Sequence, residues 1–330
     1  MRNYDFTYLI DKILDAEFEQ DPFVHIYLED FFSAEHFEEI INSDEIIAPD
    51  ALNDRQLIRG LQERGFKPIN FPGCITDIDA YIRQHESGEK AAHHSACEGF
   101  GMSLRLYEFS SPILEEINVF LASDEFNAAI AKKFNLDIDA CITDGGIQKY
   151  LDGYEISPHP DIRRKAATFM VNINPNDKSE EMDHHTHYLK FDAAHEYVEA
   201  FWRGNPSVDR AWVPWDWSIT VKQQRKNNSI VLFSPSDDTL HGVKTNYDHL
   251  VTQRTQLYGN LWYKESLAKS KIEWEDLDLL DEARERRKSA SSPKVKGLRK
   301  VASSVMPLAM KSALSRLTGH DTSSVGQRKI

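Results

Sequence analysis

Three side chains in the sequence could together hold a metal ion. His159 and Asp161 are separated by a single residue, and His241 follows much later in the chain. Two imidazoles and one carboxylate are the ligands with which proteins bind non-haem Fe(II) when some coordination positions must stay open. Alternate residues of a strand share one face, so we expect His159 and Asp161 to point toward the same ion. An H-x-D pair is common by chance, and the surrounding sequence has to support it.

Arg254 suggests a second ligand site. Residues 254–263 alternate like a strand, which places Arg254 and Gln256 on one face and Leu257 and Leu261 on the other. A guanidinium on the inner face of a barrel is costly to bury unless an anion satisfies it. Because the guanidinium fork matches a carboxylate, we expect a dicarboxylate ligand there. An ion pair with an acidic side chain is the alternative.

The elements that position these residues are predicted to be mainly β strands with flanking helices (α+β). From about residue 139, short β-branched and aromatic segments alternate with turn sequences, a pattern typical of a sandwich or barrel. We predict a jelly roll, whose mouth can hold ligands. Residues 1–138 would pack on a core at 139–266 that carries an insertion at 192–228. Residues 267–330 would form a helix followed by a basic, partly disordered tail.

Several local elements are predicted in the N-terminal part. Residues 1–20 have the apolar spacing of an amphipathic helix, and residues 25–28 form a short strand. Ser33 is a suitable N-cap for the helix that follows. A further helix is predicted at 75–84, and the polar segment 85–97 is predicted to be a loop.

The charge distribution is uneven. The chain has a net charge of −14, yet twelve Lys and Arg residues stand against two acidic residues from position 284 onward. The acidic body is not expected to bind nucleic acid. The tail at 284–330 could contact a membrane surface, dock on a protein partner or remain disordered. Three widely spaced cysteines and no signal peptide or membrane span indicate a cytoplasmic protein, at most peripheral to a membrane.

Two further groups of residues could belong to a site. The histidine-rich segment at 183–187 could direct polar groups toward a substrate, or its histidines could be structural. Aromatic and basic residues of the insertion could grip a ring-bearing substrate, or they could simply pack on the barrel. This group comprises Trp202, Arg203, Arg210, Trp212, Trp215 and Trp217.

The order of these residues resembles a known family. The pattern is Tyr150-x-x-Gly153-x-x-x-x-Pro158-His159-x-Asp161, then His241-Gly-Val, then Arg254 before a strand ending Asn260-Leu-Trp-Tyr263. It resembles the Fe(II)/2-oxoglutarate-dependent oxygenases and looks most like their prolyl 4-hydroxylase-like branch. The resemblance covers roughly residues 25–45 and 145–263.

The resemblance implies a double-stranded β-helix (jelly-roll) core and a dioxygenase activity. His159, Asp161 and His241 would hold the iron, and Arg254 would bind the distal carboxylate of 2-oxoglutarate. Four further residues match positions that line the co-substrate or lie beside it, namely Tyr150, Thr168, Asn172 and Gln256; where the family often has a serine, this chain has Gln256. Such enzymes use O₂, with ascorbate as an accessory in some cases.

The reaction that the resemblance implies is hydroxylation of an unactivated C–H bond, with release of succinate and CO₂. The substrate, a small molecule or a peptidyl group, stays open. A metal-free jelly-roll scaffold or binding protein and a cupin-like isomerase are the alternative functions.

Overall fold

The computed structural model describes residues 4–71, 74–88, 101–175, 177–265 and 267. In chain order its helices and strands are α1 (Tyr8–Asp15), β1 (Ile26–Leu28), α2 (Ala34–Ile41), α3 (Asp54–Glu63), β2 (Phe66–Pro68), α4 (Ile78–Ser87), β3 (Ser103–Leu106), α5 (Pro112–Leu121), α6 (Asp124–Lys133), β4 (Cys141–Tyr150), β5 (Glu155–His159), β6 (Lys165–Asn172), β7 (Thr186–Phe191), α7 (Tyr197–Gly204), β8 (Ser218–Gln223), β9 (Ile230–Phe233), β10 (His241–Lys244) and β11 (Arg254–Tyr263).

The strands form two antiparallel sheets with jelly-roll connectivity. The larger sheet has the order β1-β9-β6-β11-β4-β3-β2, and the smaller has the order β5-β10-β7-β8. From β4 to β11 the chain passes back and forth between them, so that β4, β6, β9 and β11 share the larger sheet. This crossing pattern is that of a double-stranded β-helix. The predicted fold class, mainly β with flanking helices, is confirmed.

Helices cover one face of the larger sheet. Leu257 and Leu261 of β11 lie in one apolar core with Ile13 of α1 and Ile130 of α6, all 1% exposed or less. The opposite face of β11 carries polar side chains. Strand alternation therefore separates a helix-packed side of the sheet from a side that is free to form a site.

The N-terminal segments join this architecture directly. β1 pairs with β9, and β3 pairs with β4, so both extend the larger sheet. Ser33 caps α2 as predicted, since its hydroxyl accepts a hydrogen bond from the backbone N–H of His36 at 3.2 Å. The domain boundaries proposed at residues 138 and 266 stay predictions.

One local prediction was wrong. α4 continues to Ser87 and ends at Gly88, which adopts the left-handed conformation (φ 67°) that commonly closes a helix. His85 therefore lies in a helix and not in a loop. β8 belongs to the smaller sheet, and its residues fall within the predicted insertion at 192–228, whose bounds stay a prediction.

Some predictions fall on residues that the structure does not describe, including the rest of the predicted loop from residue 89 and the basic tail. Within the described residues, Cys141 is a free thiol. No helix in that part of the chain is both long enough and apolar enough to cross a membrane.

Candidate metal and co-substrate site

The three predicted metal ligands meet at one end of the smaller sheet. His159 ends β5, His241 begins β10, and the two residues are direct partners in the antiparallel ladder. His159 Nε2 lies 3.4 Å from Asp161 Oδ1, and His241 Nε2 lies 3.9 Å from Asp161 Oδ2. All three residues are buried.

Asp161 reaches this position by a turn and not along a strand. β5 ends at His159, and Asp161 has a φ of 61° after Pro160. Aspartate tolerates this left-handed conformation better than most residues do. The expectation that His159 and Asp161 share one face of a strand was therefore wrong, although their ligand atoms do converge.

Both histidines are held in the tautomer that a metal requires. His159 Nδ1 donates to the Ser157 carbonyl and His241 Nδ1 to the Thr239 carbonyl, each at 2.9 Å. Because a carbonyl can only accept, the proton of a neutral ring sits on Nδ1 and the Nε2 lone pair is free. Burial, together with the neighbouring His159, lowers the pKa of His241 to about 3, so this ring is neutral at pH 7.

Asp161 is held as a charged carboxylate. Lys165 Nζ donates to its Oδ1 at 2.8 Å, and the Thr168 hydroxyl donates to its Oδ2 at 2.9 Å. Burial alone would raise the pKa of Asp161, but the neighbouring Lys165 ammonium outweighs it and keeps the pKa well below its usual value. Thr168, predicted to contact the co-substrate, here donates a hydrogen bond that orients the Asp161 carboxylate.

The donor set fits a divalent iron site. Nitrogen and oxygen ligands lie about 2.0–2.2 Å from a divalent ion such as zinc, so two ligands of one such ion are about 3–4 Å apart. The ligand atoms of the three residues all lie within 4.8 Å of one another. Two neutral imidazoles and a carboxylate, with the remaining positions open, suit non-haem Fe(II).

Arg254 begins β11 and is buried, with 3% of its surface exposed. Its Nη2 donates to Thr186 Oγ1 at 2.9 Å, and its Cζ lies 4.4 Å from the centre of the Tyr150 ring. Among the described residues, no carboxylate lies within 4 Å of the guanidinium. The alternative of an acidic side-chain partner is therefore not found in this part of the chain, and an external anion would satisfy the charge.

A cavity of about 220 Å³ connects Arg254 with the metal ligands. Tyr150 and Gln256 line it, as do Met170, Tyr258 and Trp262 on the same sheet. Asn172 does not line it, because its Nδ2 donates to the carbonyls of Gln224 and Lys226 while its Oδ1 accepts from Gln256 Nε2.

Two residues of this site were missed in the sequence. Lys165 lies four positions after Asp161, a spacing that could have suggested an ion pair. Thr186 pairs with Arg254 only through the fold, because the two residues are 68 positions apart.

The histidines at 183–187 are mostly structural. His184 and His185 are buried, and their Nε2 atoms bond the carbonyls of Ser179 and Glu180. Burial lowers the pKa of both rings, so they are neutral at pH 7. His187 contacts Thr220 on the neighbouring strand β8.

The aromatic and basic residues of the insertion divide into two groups. Arg210 and Trp212 line the cavity. The others pack or lie at the surface: Trp202 is in an apolar cluster, Trp215 Nε1 donates to Glu155, Trp217 stacks on His195, and Arg203 pairs with Glu199. Contact with a substrate thus stays a prediction for Arg210 and Trp212 only.

A second histidine–aspartate cluster lies outside the cavity and was not predicted. His85 Nδ1 is 2.5 Å from Asp54 Oδ2 and its Nε2 is 3.0 Å from Asp152 Oδ2, while His249 Nε2 is 3.0 Å from Asp54 Oδ1. His249 Nδ1 accepts the backbone N–H of Asp152. Every ring nitrogen already has a partner, so we interpret this cluster as a clamp between helices and loops. Its members are too distant in sequence for spacing to reveal it.

No protein-family model matches the sequence, and no curated protein matches it either. Solved structures do match. A prolyl-4-hydroxylase from Pseudomonas putida is 10% identical with a TM-score of 0.37, over 78% of this chain and 98% of its own. A Trichoplax adhaerens prolyl hydroxylase, solved with a hypoxia-inducible-factor peptide, is 11% identical with a TM-score of 0.39, over 81% and 92%.

A 2OG-Fe(II) oxygenase family protein from Burkholderia pseudomallei is 10% identical with a TM-score of 0.28, over 65% of this chain and 92% of its own. The geometry of the cavity, and not these similarities, supports the function proposed next.

Proposed function

We propose that the protein is an Fe(II)/2-oxoglutarate-dependent dioxygenase that hydroxylates a C–H bond of a small-molecule or peptidyl substrate. The observation that carries this proposal is that one cavity contains both halves of the required site. One half is a pair of histidines with free Nε2 atoms beside a charged carboxylate. The other is a buried arginine that has no acidic partner among the described residues.

Each residue has a distinct role in this proposal. His159, Asp161 and His241 hold the metal, and Arg254 binds the distal carboxylate of 2-oxoglutarate. The Tyr150 ring packs against the guanidinium and limits its movement. When bound, iron and 2-oxoglutarate would supply the electrons that activate O₂, with succinate and CO₂ as products. The buried walls of the cavity keep water from the reacting atoms.

Neither of the two alternative functions accounts for all residues of the site. A cupin-like isomerase would use the metal ligands but would leave Arg254 buried without an anion. A metal-free scaffold would gain nothing from two buried imidazoles whose Nε2 atoms are kept free. The same cavity therefore favours a 2-oxoglutarate-dependent enzyme over both.

Succinate formation tests the proposal without knowledge of the substrate. Protein incubated with Fe(II), O₂ and 2-oxoglutarate is expected to release succinate by slow uncoupled turnover, detected by mass spectrometry. The Asp161→Ala variant should lose this activity. The control variant Arg203→Gln should retain it, because Arg203 is an exposed residue that pairs with Glu199. If Asp161→Ala converted 2-oxoglutarate at the wild-type rate, the assignment of Asp161 as a metal ligand would be wrong.

A further inference from the structure

The cavity continues past the metal ligands to a wall made by the segment that follows α7. The backbone N–H of Val213 donates to the carbonyl of Pro158 at 2.8 Å, which fixes the segment beside His159. The Trp212 ring lies 6.1 Å from the His159 ring, and Arg210 lines the cavity two residues earlier. Both side chains are thus held at the rim of the metal site.

Arg210 is buried yet poorly satisfied. Only 6% of its surface is exposed, and its guanidinium makes no hydrogen bond to any residue in the described part of the chain. The carboxylate that reaches it, Asp237, lies 3.7 Å from its Nη1. A buried guanidinium with so little compensation is unfavourable unless a ligand completes its hydrogen bonds.

Asp237 is shared with a second arginine. Its Oδ1 lies 3.2 Å from Arg163 Nη2. Arg163 is satisfied in addition by the backbone, since its Nη2 donates to the Trp202 carbonyl and its Nε to the Val208 carbonyl. The Asp237 carboxylate is thus divided between two guanidinium groups, while Asp209, among the described residues, accepts only the backbone N–H groups of Arg163 and Arg210. Arg210 is the arginine that faces the cavity.

The charge of the whole cavity also favours an anionic ligand. A divalent ion and a 2-oxoglutarate dianion cancel each other, and Asp144 at the rim is paired with Arg105. The remaining charged residues of the lining are Lys165, Arg210 and Arg254 against Asp161, and even with Arg210 offset by Asp237 one positive charge remains. This surplus of positive charge favours an anionic second ligand.

We propose that the substrate is an apolar or aromatic carboxylate whose carboxyl group is bound by Arg210. A guanidinium fork matches a carboxylate in a bidentate way. The body of the substrate would lie between the Trp212 and Trp262 side chains, which both line the cavity, next to the metal ligands. This substrate class rests on the proposed function of the same site.

Matched ligands test the substrate class by calorimetry, without turnover. The full-length protein is loaded with Mn(II) and saturating 2-oxoglutarate, then titrated with phenylacetate, indole-3-acetate and cyclohexylacetate, and with the carboxamide of each. At least one carboxylate should bind roughly 10- to 100-fold more tightly than its amide. Arg210→Gln should remove this preference, Arg210→Lys should restore part of it, and the control Arg203→Gln should keep it.

Two results would overturn the inference: no carboxylate binds better than its amide, or the preference survives in Arg210→Gln. Binding of 2-oxoglutarate to the variant shows that the variant is folded, and it separates the two proposals. If 2-oxoglutarate binds normally while carboxylates and amides bind alike, only the role of Arg210 is wrong. If 2-oxoglutarate itself does not bind to the Mn(II)-loaded protein, the proposed function fails, and titrations without it then decide the role of Arg210.

Discussion

At the scale of single residues, the same local hydrogen bond orients both histidines and leaves their Nε2 atoms available to a metal. Each donates its Nδ1 proton to the carbonyl two residues before it. The convergence of His159, Asp161 and His241 could be predicted because residue type and order carry the pattern. The turn at Asp161 and the contact of Thr168 with its carboxylate could not be predicted, since they depend on how β5 meets the start of β6.

Arg254 gives the first prediction at this scale. Arg254→Met should raise the dissociation constant of 2-oxoglutarate by roughly 100-fold, because two charge-assisted hydrogen bonds are lost. The affinity for Mn(II) should change little, since Arg254 is not a metal ligand. Calorimetric titration of the Mn(II)-loaded protein measures both values. Unchanged 2-oxoglutarate affinity in the variant would place the co-substrate elsewhere, and Arg203→Gln serves as the control.

Lys149 gives a prediction about stability and pH. It is fully buried, and its Nζ donates to the Ile46 carbonyl and to Thr255 Oγ1. Burial lowers the pKa of Lys149 from 10.5 to about 7. Because the unfolded chain then binds more protons than the folded one between these values, the contribution of Lys149 to stability rises with pH across this interval.

The free energy of unfolding of the wild type, compared with Lys149→Met, should therefore increase from pH 7 toward pH 10. Urea denaturation at a series of pH values gives this difference. A difference that stays constant with pH, or falls, would contradict the assigned pKa of Lys149.

At the scale of elements, hydrogen bonds connect α3 and α4 to the loops beside the proposed co-substrate site. Asp152, which His85 contacts, also accepts the backbone N–H of Tyr247. The Tyr247 hydroxyl in turn donates to the Tyr150 carbonyl and accepts the backbone N–H of Arg254. Strand and helix positions were largely predictable because alternation and apolar spacing are local. This network was not, because it joins residues up to 195 positions apart.

His85 provides the prediction for this network. Its hydrogen bonds to Asp152 and Asp54 raise the pKa of His85 to about 9. The protonated His85 ring stabilises the folded state. This stabilisation is fully present below pH 6.5, the pKa of the ring in the unfolded chain, and it is lost as the pH rises through about 9. Burial raises the pKa of Asp54, but hydrogen bonds from His249 and His85 outweigh burial and lower it. The contribution of Asp54 to stability is therefore lost as the pH falls below 3.8.

His85→Gln should consequently destabilise the protein by about 1–3 kcal/mol near pH 5 to 6 and by much less near pH 10. Urea denaturation at these pH values is the measurement. Arg59→Gln, which removes an exposed pair with Glu63 on α3, should show no comparable change. Equal destabilisation by His85→Gln at pH 5 and pH 10 would rule out the charged clamp.

At the scale of the whole molecule, the site joins the two sheets of the jelly roll. His159 and His241 belong to the smaller sheet, whereas Tyr150 and Arg254 belong to the larger one. Ligands that bind both groups should stabilise the folded state as a unit. The fold class was predictable because many short strands with turn sequences between them have few alternative arrangements, but the shape of the cavity depends on the segment around Arg210.

Thermal unfolding tests this coupling. Mn(II) and 2-oxoglutarate together, each near 100 times its dissociation constant, should raise the melting temperature by several degrees, since each contributes about 2.7 kcal/mol. In Arg254→Met the Mn(II) increment should remain and the 2-oxoglutarate increment should vanish. Equal shifts in the variant and the wild type would show that 2-oxoglutarate does not bridge the sheets.

The most direct measurement of the central claim is a crystal structure of the protein with Mn(II) and 2-oxoglutarate. We expect the ion bound by His159 Nε2, His241 Nε2 and an Asp161 carboxylate oxygen. The distal carboxylate of 2-oxoglutarate should lie on the Arg254 guanidinium, against the Tyr150 ring. An ion bound elsewhere, for example at Asp54, His85 and His249, or a 2-oxoglutarate that leaves Arg254 unpaired, would contradict the account.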